Sequence, residues 1–265
     1  GNALAGAIDL NLRKGNTQQL RTEAQISLLG LELGIEGPLG KKGASMISRY
    51  RYSTVGLLAD LGAKFGDEDI TYQDFMFHIS LPGTKRNLSL FMITGNNVND
   101  YVGKDSTERK IDKEQYNIRF EGGQFVGGLL AQFNPNPNHR IHADIIYSEL
   151  NNTRSSNLFD LSNDNGFDVN IYQKKLSFHP KWVSRLTGNK IWTTGLQLHI
   201  NNDQTTYNIS SPLVETSGDQ SYITAQPYSQ FLVERNKWSI QGGLHSLIIN
   251  EFSLEPRLQV RFKLS

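Results

Sequence analysis

Leu254-Glu255-Pro256-Arg257-Leu258-Gln259-Val260-Arg261-Phe262-Lys263-Leu264 is the stretch that decides the fold. Leu254, Pro256, Leu258, Val260, Phe262 and Leu264 fall on one side of an extended chain. Glu255, Arg257, Gln259, Arg261 and Lys263 fall on the other. Successive side chains of a strand point to opposite faces, so this unbroken alternation predicts a strand with one apolar and one charged face. Its length also matters, because roughly 9–11 tilted residues cross a bilayer.

The same period recurs upstream. Trp238, Ile240, Gly242, Leu244 and Ile248 oppose Ser239, Gln241, Gly243 and His245. Ile223, Ala225, Pro227, Phe231 and Val233 oppose Thr224, Gln226, Tyr228, Gln230 and Glu234, with Leu232 out of pattern. Trp192 to Ile200, Leu176 to Trp182, Phe75 to Leu81 and Ile8 to Leu12 alternate likewise. Pro180, Pro227 and Pro256 each remove a ladder donor within these runs. The helix period is nearly absent. One short candidate, Thr54 to Phe65 with Leu57, Leu58 and Leu61 in register, reads as a helical turn inside a loop.

Connections alternate in length. Short ones are Gly40-Lys41-Lys42-Gly43, Pro82-Gly83-Thr84-Lys85, Asn134 to Asn138, Thr187 to Lys190 and Asn236-Lys237. Long ones, rich in Asn, Asp, Ser and Thr, are expected at about 54–73, 96–118, 149–169 and 202–220; Asn250-Glu251-Phe252 is short where a long one was due. One rim of short turns and one of long loops predicts an all-β, antiparallel up-and-down transmembrane β-barrel. Three features favour a membrane over a soluble two-sheet protein with the same alternation. The strands are long. Trp182, Trp192 and Trp238 lie near short turns, as an interfacial girdle requires. The polar faces carry Arg, Lys, Glu, Gln and His, which suits a wet lumen.

Composition limits the function. The 265 residues hold 27 Lys+Arg and 26 Asp+Glu, a formal net charge of +1. That balance gives no basic excess for a nucleic-acid partner. With no cysteine, disulfides, Cys-ligated zinc, iron–sulfur clusters and thiol catalysis are excluded. No stretch approaches the roughly 20 apolar residues of a membrane helix.

The chemistry-bearing residues form no catalytic set, and a non-enzyme without cofactor is expected. His139 and His142 are three apart, so a strand points them to opposite faces and they cannot chelate together. His179, His199 and His245 lie on polar faces of three strands; they read as lumen-wall residues, not metal ligands. Asn163-Asp164-Asn165-Gly166 resembles a calcium loop, but Leu161 and Tyr172 stand where acidic ligands belong, so it reads as a loop turn. Asp67-Glu68-Asp69 reads as a solvated loop tip. Arg257, Arg261 and Lys263 either steer anionic ligands or hold a plug by salt bridges, and the second role is favoured. No ligand-binding residue is singled out.

Several stretches, in order, resemble the TonB-dependent outer-membrane receptors of Bacteroidetes. Gly1-Asn2-Ala3-Leu4-Ala5-Gly6-Ala7-Ile8-Asp9-Leu10-Asn11-Leu12-Arg13 looks like the passage of the plug's final strand into the barrel. Glu36-Gly37-Pro38-Leu39-Gly40 resembles the approach to the first periplasmic turn. Ser48-Arg49-Tyr50-Arg51-Tyr52-Ser53 resembles the next rising strand and Tyr72-Gln73-Asp74-Phe75 the descending one. Gly243-Leu244-His245 and Ser253-Leu254-Glu255-Pro256-Arg257 resemble a mid-barrel pair. The resemblance implies that residues 1–17 are the end of a plug and its linker. Residues 18–265 are then the N-terminal part of the barrel, about 11 strands of the roughly 22 around a plugged lumen.

It further implies a bacterial outer membrane and energised uptake of a bulky nutrient (glycan, peptide or metal chelate). The partners implied are outer-membrane lipid, the TonB system through a plug outside these residues, and a surface lipoprotein lid over the long loops. A soluble β-sandwich binding module and a passive porin are the alternatives.

Overall fold

The computed structural model describes residues 11–27, 30–40, 42–53, 55, 68–160, 166–186, 188–210 and 213–263. Twelve strands follow one another: β1 (Arg21–Ile26), β2 (Gly30–Pro38), β3 (Ser45–Ser53), β4 (Glu68–Pro82), β5 (Arg86–Tyr101), β6 (Tyr116–Asn136), β7 (His139–Leu158), β8 (Gly166–Arg185), β9 (Lys190–Ser210), β10 (Leu213–Arg235), β11 (Trp238–Ile248) and β12 (Phe252–Phe262). All lie in one sheet in chain order, and neighbours are antiparallel throughout. This is the up-and-down arrangement expected of a partial barrel.

The described residues form twelve strands, in keeping with the expected partial barrel of about eleven. β1 and β2 form a tight hairpin in which the Ser27 N–H donates to the Gly30 carbonyl at 2.9 Å. The turn is marked in the sequence by little more than Gly30, so turn chemistry there is weak. The expected opening strand Ile8–Arg13 falls mostly outside the described residues, and Asn11–Asn16 is not a strand. The expected helical turn at 54–65 also lies outside them, save Val55.

The long connections are corrected more sharply. β9 ends at Ser210 and β10 begins at Leu213, where a loop over 202–220 was expected. β7 runs to Leu158 and β8 starts at Gly166, replacing a loop over 149–169. The connection at 96–118 shrinks to the residues between Tyr101 and Tyr116. These segments are hairpin arms. With water on both faces, an arm loses the apolar period by which a strand is recognised. Cross-strand polar pairs hold it instead: the Tyr222 hydroxyl donates to Asp203 at 3.0 Å, and the Asn202 amide to the Ser221 hydroxyl at 2.8 Å.

One face of the sheet is apolar. Across the ladders, Met46, Ile79, Leu90, Leu129, Ile145, Phe178, Leu198 and Ala225 are successive partners. This row lies uncovered: Ile145 is 49% and Leu129 45% exposed. Among the described residues the only buried large apolar side chains are Ile47, Phe91 and Tyr101. A sandwich would bury such a row under a second sheet; the described residues form a single layer. On β9 the outward apolar run spans Trp192 to Ile200 and ends at Asn202, and on β10 it spans Val233 to Ile223 and ends at Ser221. Each is one bilayer crossing long. The remainder of each strand, about 30 Å along its axis at roughly 3.4 Å per residue, projects beyond.

The three prolines fit without shifting register. The β8–β9 ladder skips Pro180 and the β10–β11 ladder skips Pro227, and pairing resumes in phase on either side. Each costs a local bond, not the strand.

The outward row makes a quantitative prediction. In the lipid-embedded barrel, Ile145→Arg is expected to destabilise by about 2–4 kcal/mol. Asn170→Arg, on a projecting arm, should change stability by less than about 0.5 kcal/mol. Urea unfolding in vesicles measures both, and equal costs would remove lipid from the outward face.

Candidate functional site: the lumen wall and the loop rim

The inward face is built from the alternate residues of the same strands. On β1 to β4 it carries a lattice of charge. Arg49 bridges Glu32 at 2.6 Å and Glu23 at 2.8 Å, and Arg51 pairs with Asp74. The chain before β1 lies on this wall. Gly15 is buried, and a methyl group there would sit 1.9 Å from the Met46 carbonyl oxygen. Only glycine allows that approach. Beside it the Arg13 guanidinium meets Glu36 at 2.5 Å. The His78 Nδ1–H donates to the Arg13 carbonyl at 2.9 Å, while His78 Nε2 meets the Ser89 hydroxyl at 2.6 Å. A carbonyl only accepts, so this contact fixes a proton on Nδ1. The Asn16 side chain then accepts from the Gln18 and Gln19 amides at 2.8 and 3.1 Å, an Asx turn that redirects the chain into β1. Ile47, 1% exposed, lies in this region of the wall.

Further round the sheet the wall carries histidine and tyrosine. His139 and His142 do point to opposite faces: His139 packs on the outward Trp182 with ring centroids 5.7 Å apart, and His142 pairs with Lys181 inside. His179 and His199 meet edge to face at 5.1 Å. His245 stands apart from them, stacked on Tyr228 at 5.3 Å. Tyr228 reaches that position by crossing Gly195, where an added methyl would lie 2.6 Å from its hydroxyl. The Ser177 hydroxyl is 2.9 Å from His199 Nδ1. On β12, Arg257 pairs with Glu255 at 2.6 Å.

Three comparisons bear on this geometry. No known family profile matches the chain, and no curated protein does. Solved structures do. The unliganded ferric citrate transporter FecA superposes with a TM-score of 0.60 at 14% identity, over 95% of this chain and 43% of that one. The siderophore receptor PirA from Acinetobacter baumannii superposes with a TM-score of 0.59 at 14% identity, over 92% of this chain and 40% of that one. The fold is that of part of a TonB-dependent receptor barrel. At this identity the likeness is one of fold, and the chain spans about two fifths of each matched structure.

On the rim of long connections one stretch is firmly built. Between β5 and β6, Glu114 is 6% exposed although charged. Its carboxylate accepts from Lys104 Nζ at 2.8 Å, from the Lys110 N–H and from the Ile111 N–H at 3.0 Å. Arg109 donates to the Lys104 carbonyl at 2.8 Å and pairs with Asp160 beyond β7. The Phe159 N–H donates to the Gln115 carbonyl at 2.8 Å. Lys113 lies 4.2 Å over the Tyr101 ring and pairs with Glu68. Glu68, expected at a solvated tip, is thus a strand-end anchor; Asp67 and the 163–165 turn lie outside the described residues. Sequence reading missed Glu114, because its partners are backbone N–H groups brought round by a 3-10 turn, Asp112–Gln115. It also missed the Arg13–Gly15 contact with the wall.

Two predictions follow from these contacts. Gly15→Ala is expected to lift the 11–16 segment off the wall at a cost of about 1–3 kcal/mol, read as faster hydrogen exchange there; unchanged exchange would mean the segment is not seated. Separately, Lys104, then the Lys110 and Ile111 amides, hold the Glu114 carboxyl well below its ordinary 4.5, at about 2. A depressed carboxylate stabilises fully above its unfolded value, so order in this loop should persist above pH 4.5 and fade as pH falls through about 2. Exchange of the Lys110 and Ile111 amides measures it, and Glu114→Gln should show that loosening already at neutral pH.

Proposed function

We propose that this chain is barrel wall from an outer-membrane, TonB-dependent receptor that takes up a bulky nutrient in an energised step. The observation that carries the reading is the single-layer sheet, with an uncovered apolar row one bilayer crossing long on one face and a charged wall on the other. Neither a soluble sandwich nor a catalyst needs that combination. The nutrient is a glycan, a peptide or a metal chelate, the last being the kind of cargo for which the two matched proteins are named.

Residues 1–17 are the end of a plug and its linker, and residues 18–265 are the N-terminal part of the barrel. The seating of Asn11–Asn16 on the inner wall supports that division, and it counts against an open porin. The barrel presents arms and the Glu114-tied loop to the ligand and to a surface lipoprotein lid. The plug receives energy through TonB. The short motifs of the opening and of β2 to β4 support the Bacteroidetes type of receptor. The protein is not an enzyme and needs no cofactor.

The test is fractionation with intact mass, followed by uptake. The native polypeptide carrying this sequence is expected in the outer membrane at a mass several-fold above that of these 265 residues. Growth on its nutrient should stop when TonB is deleted or the proton gradient collapsed. Recovery in the soluble fraction would overturn the reading, and uptake independent of the gradient would replace it with a porin.

A further inference from the structure

The net charge of +1 conceals a separation along the strands. Arg13, Arg49, Arg51, Arg109, Arg119 and Arg257 each meet a carboxylate. At the turn rim the cations behave differently. Arg86, Lys190 and Arg235 stand at the turn-side ends of β5, β9 and β10, exposed, and none makes an ion pair among the described residues. Their ladder partners are Phe133, Val233 and Trp238, all on the outward apolar face. Along that face the described carboxylates gather at the opposite end: Glu121, Glu149, Asp168 and Asp219 all lie beyond the apolar run.

The collar is also rigid and correctly placed. Backbone bonds stitch one turn to the next: the Asn134 N–H donates to the Lys85 carbonyl at 2.7 Å, Arg185 to Asn138 at 2.7 Å, and Glu234 to Asn189 at 2.9 Å. The aromatic band begins level with it, with Trp238, the partner of Arg235, on Phe262 at 4.6 Å, and continues just above with Trp182 and Trp192 at 5.7 Å. Aromatic side chains of this kind sit at headgroup level. Long cationic side chains beside them place their charge among the headgroups while their stems stay on apolar surface.

We propose that the Arg86, Lys190 and Arg235 collar binds the phosphates of anionic phospholipids in the leaflet on the turn side. The inference rests on the membrane-spanning reading. Guanidinium groups hold phosphate oxygens with paired, charge-assisted bonds. Among the described residues no carboxylate shares the outward face with them at this rim, Glu234 lying on the inward face, so the three charges favour a lipid of net negative charge over a zwitterionic one. The opposite end of the same face, where Arg119 is neutralised by Asp100 and Glu121 at 2.6 Å, offers no such preference. The protein thereby distinguishes the two leaflets.

The native-length polypeptide, placed in nanodiscs of phosphatidylethanolamine and phosphatidylglycerol, provides the test by native mass spectrometry of retained lipid. Phosphatidylglycerol should be enriched, and enrichment should fall roughly fivefold for each cation removed in R86Q, K190Q and R235Q. The charge-keeping R86K/R235K pair should retain it, as should K174Q at the other end. Unchanged enrichment in the triple glutamine variant overturns the proposal alone. So does loss of enrichment on adding inorganic phosphate, which would assign the collar to the free ion. Failure to enter nanodiscs at all would overturn the membrane reading, and the collar with it.

Discussion

Everything in this molecule depends on pairing backbone hydrogen bonds strand to strand within one layer. A sheet whose apolar face meets hydrocarbon has no water there to take an unmet N–H or C=O. The only economical solution is a continuous ladder, and β1 to β12 form one without a crossover. The prolines show how strong the constraint is. Pro180 and Pro227 remove donors from their ladders, yet the register on either side is kept. A slip of one residue would turn the outward apolar row of a strand into the lumen and its inward polar row into lipid.

Given that layer, the inner face has a single task of geometry, which is to hold whatever lies against it. On β1 to β4 it does so with charge and close approach. Glu36 and His78 grip the two ends of one residue, Arg13, by its guanidinium and its carbonyl. Gly15 lets the backbone come within contact of Met46. Further round, the wall is softer: paired imidazoles and a tyrosine laid across Gly195. The wall thus holds the segment at Arg13–Gly15 by charge and close approach, and beyond it presents an aromatic surface.

The loop rim is a different solvent problem. Above the apolar run, the strands continue as arms wetted on both sides, held by side-chain pairs such as Tyr222 with Asp203. Between β5 and β6 a buried carboxylate, Glu114, ties the connection as a helix cap would, by collecting backbone N–H groups. The turn rim carries the opposite charge character, with Arg86, Lys190 and Arg235 making no ion pair among the described residues, beside tryptophans. Net charge near zero therefore describes neither end of the molecule.

What the sequence by itself determined was the period. Alternation such as Leu254 to Leu264, and the short turns at 40–43, 82–85 and 236–237, specify strands, faces and the up-and-down order, because side-chain direction on a strand is a local property of the backbone. Local chemistry also placed His139 and His142 on opposite faces. Only the tertiary structure decided the rest. The arms at 149–158, 202–210 and 213–222 are strands because neighbours pair with them, a fact their polar composition conceals. His179 and His199 are partners, and His245 is not, because relative height across strands depends on register accumulated over many ladders. Gly15 and the collar of Arg86, Lys190 and Arg235 owe their roles to residues distant in the chain, and Glu114 owes its role to backbone N–H groups that a turn gathers round it. Contacts of that kind are properties of the assembled sheet, and no periodicity in the sequence encodes them.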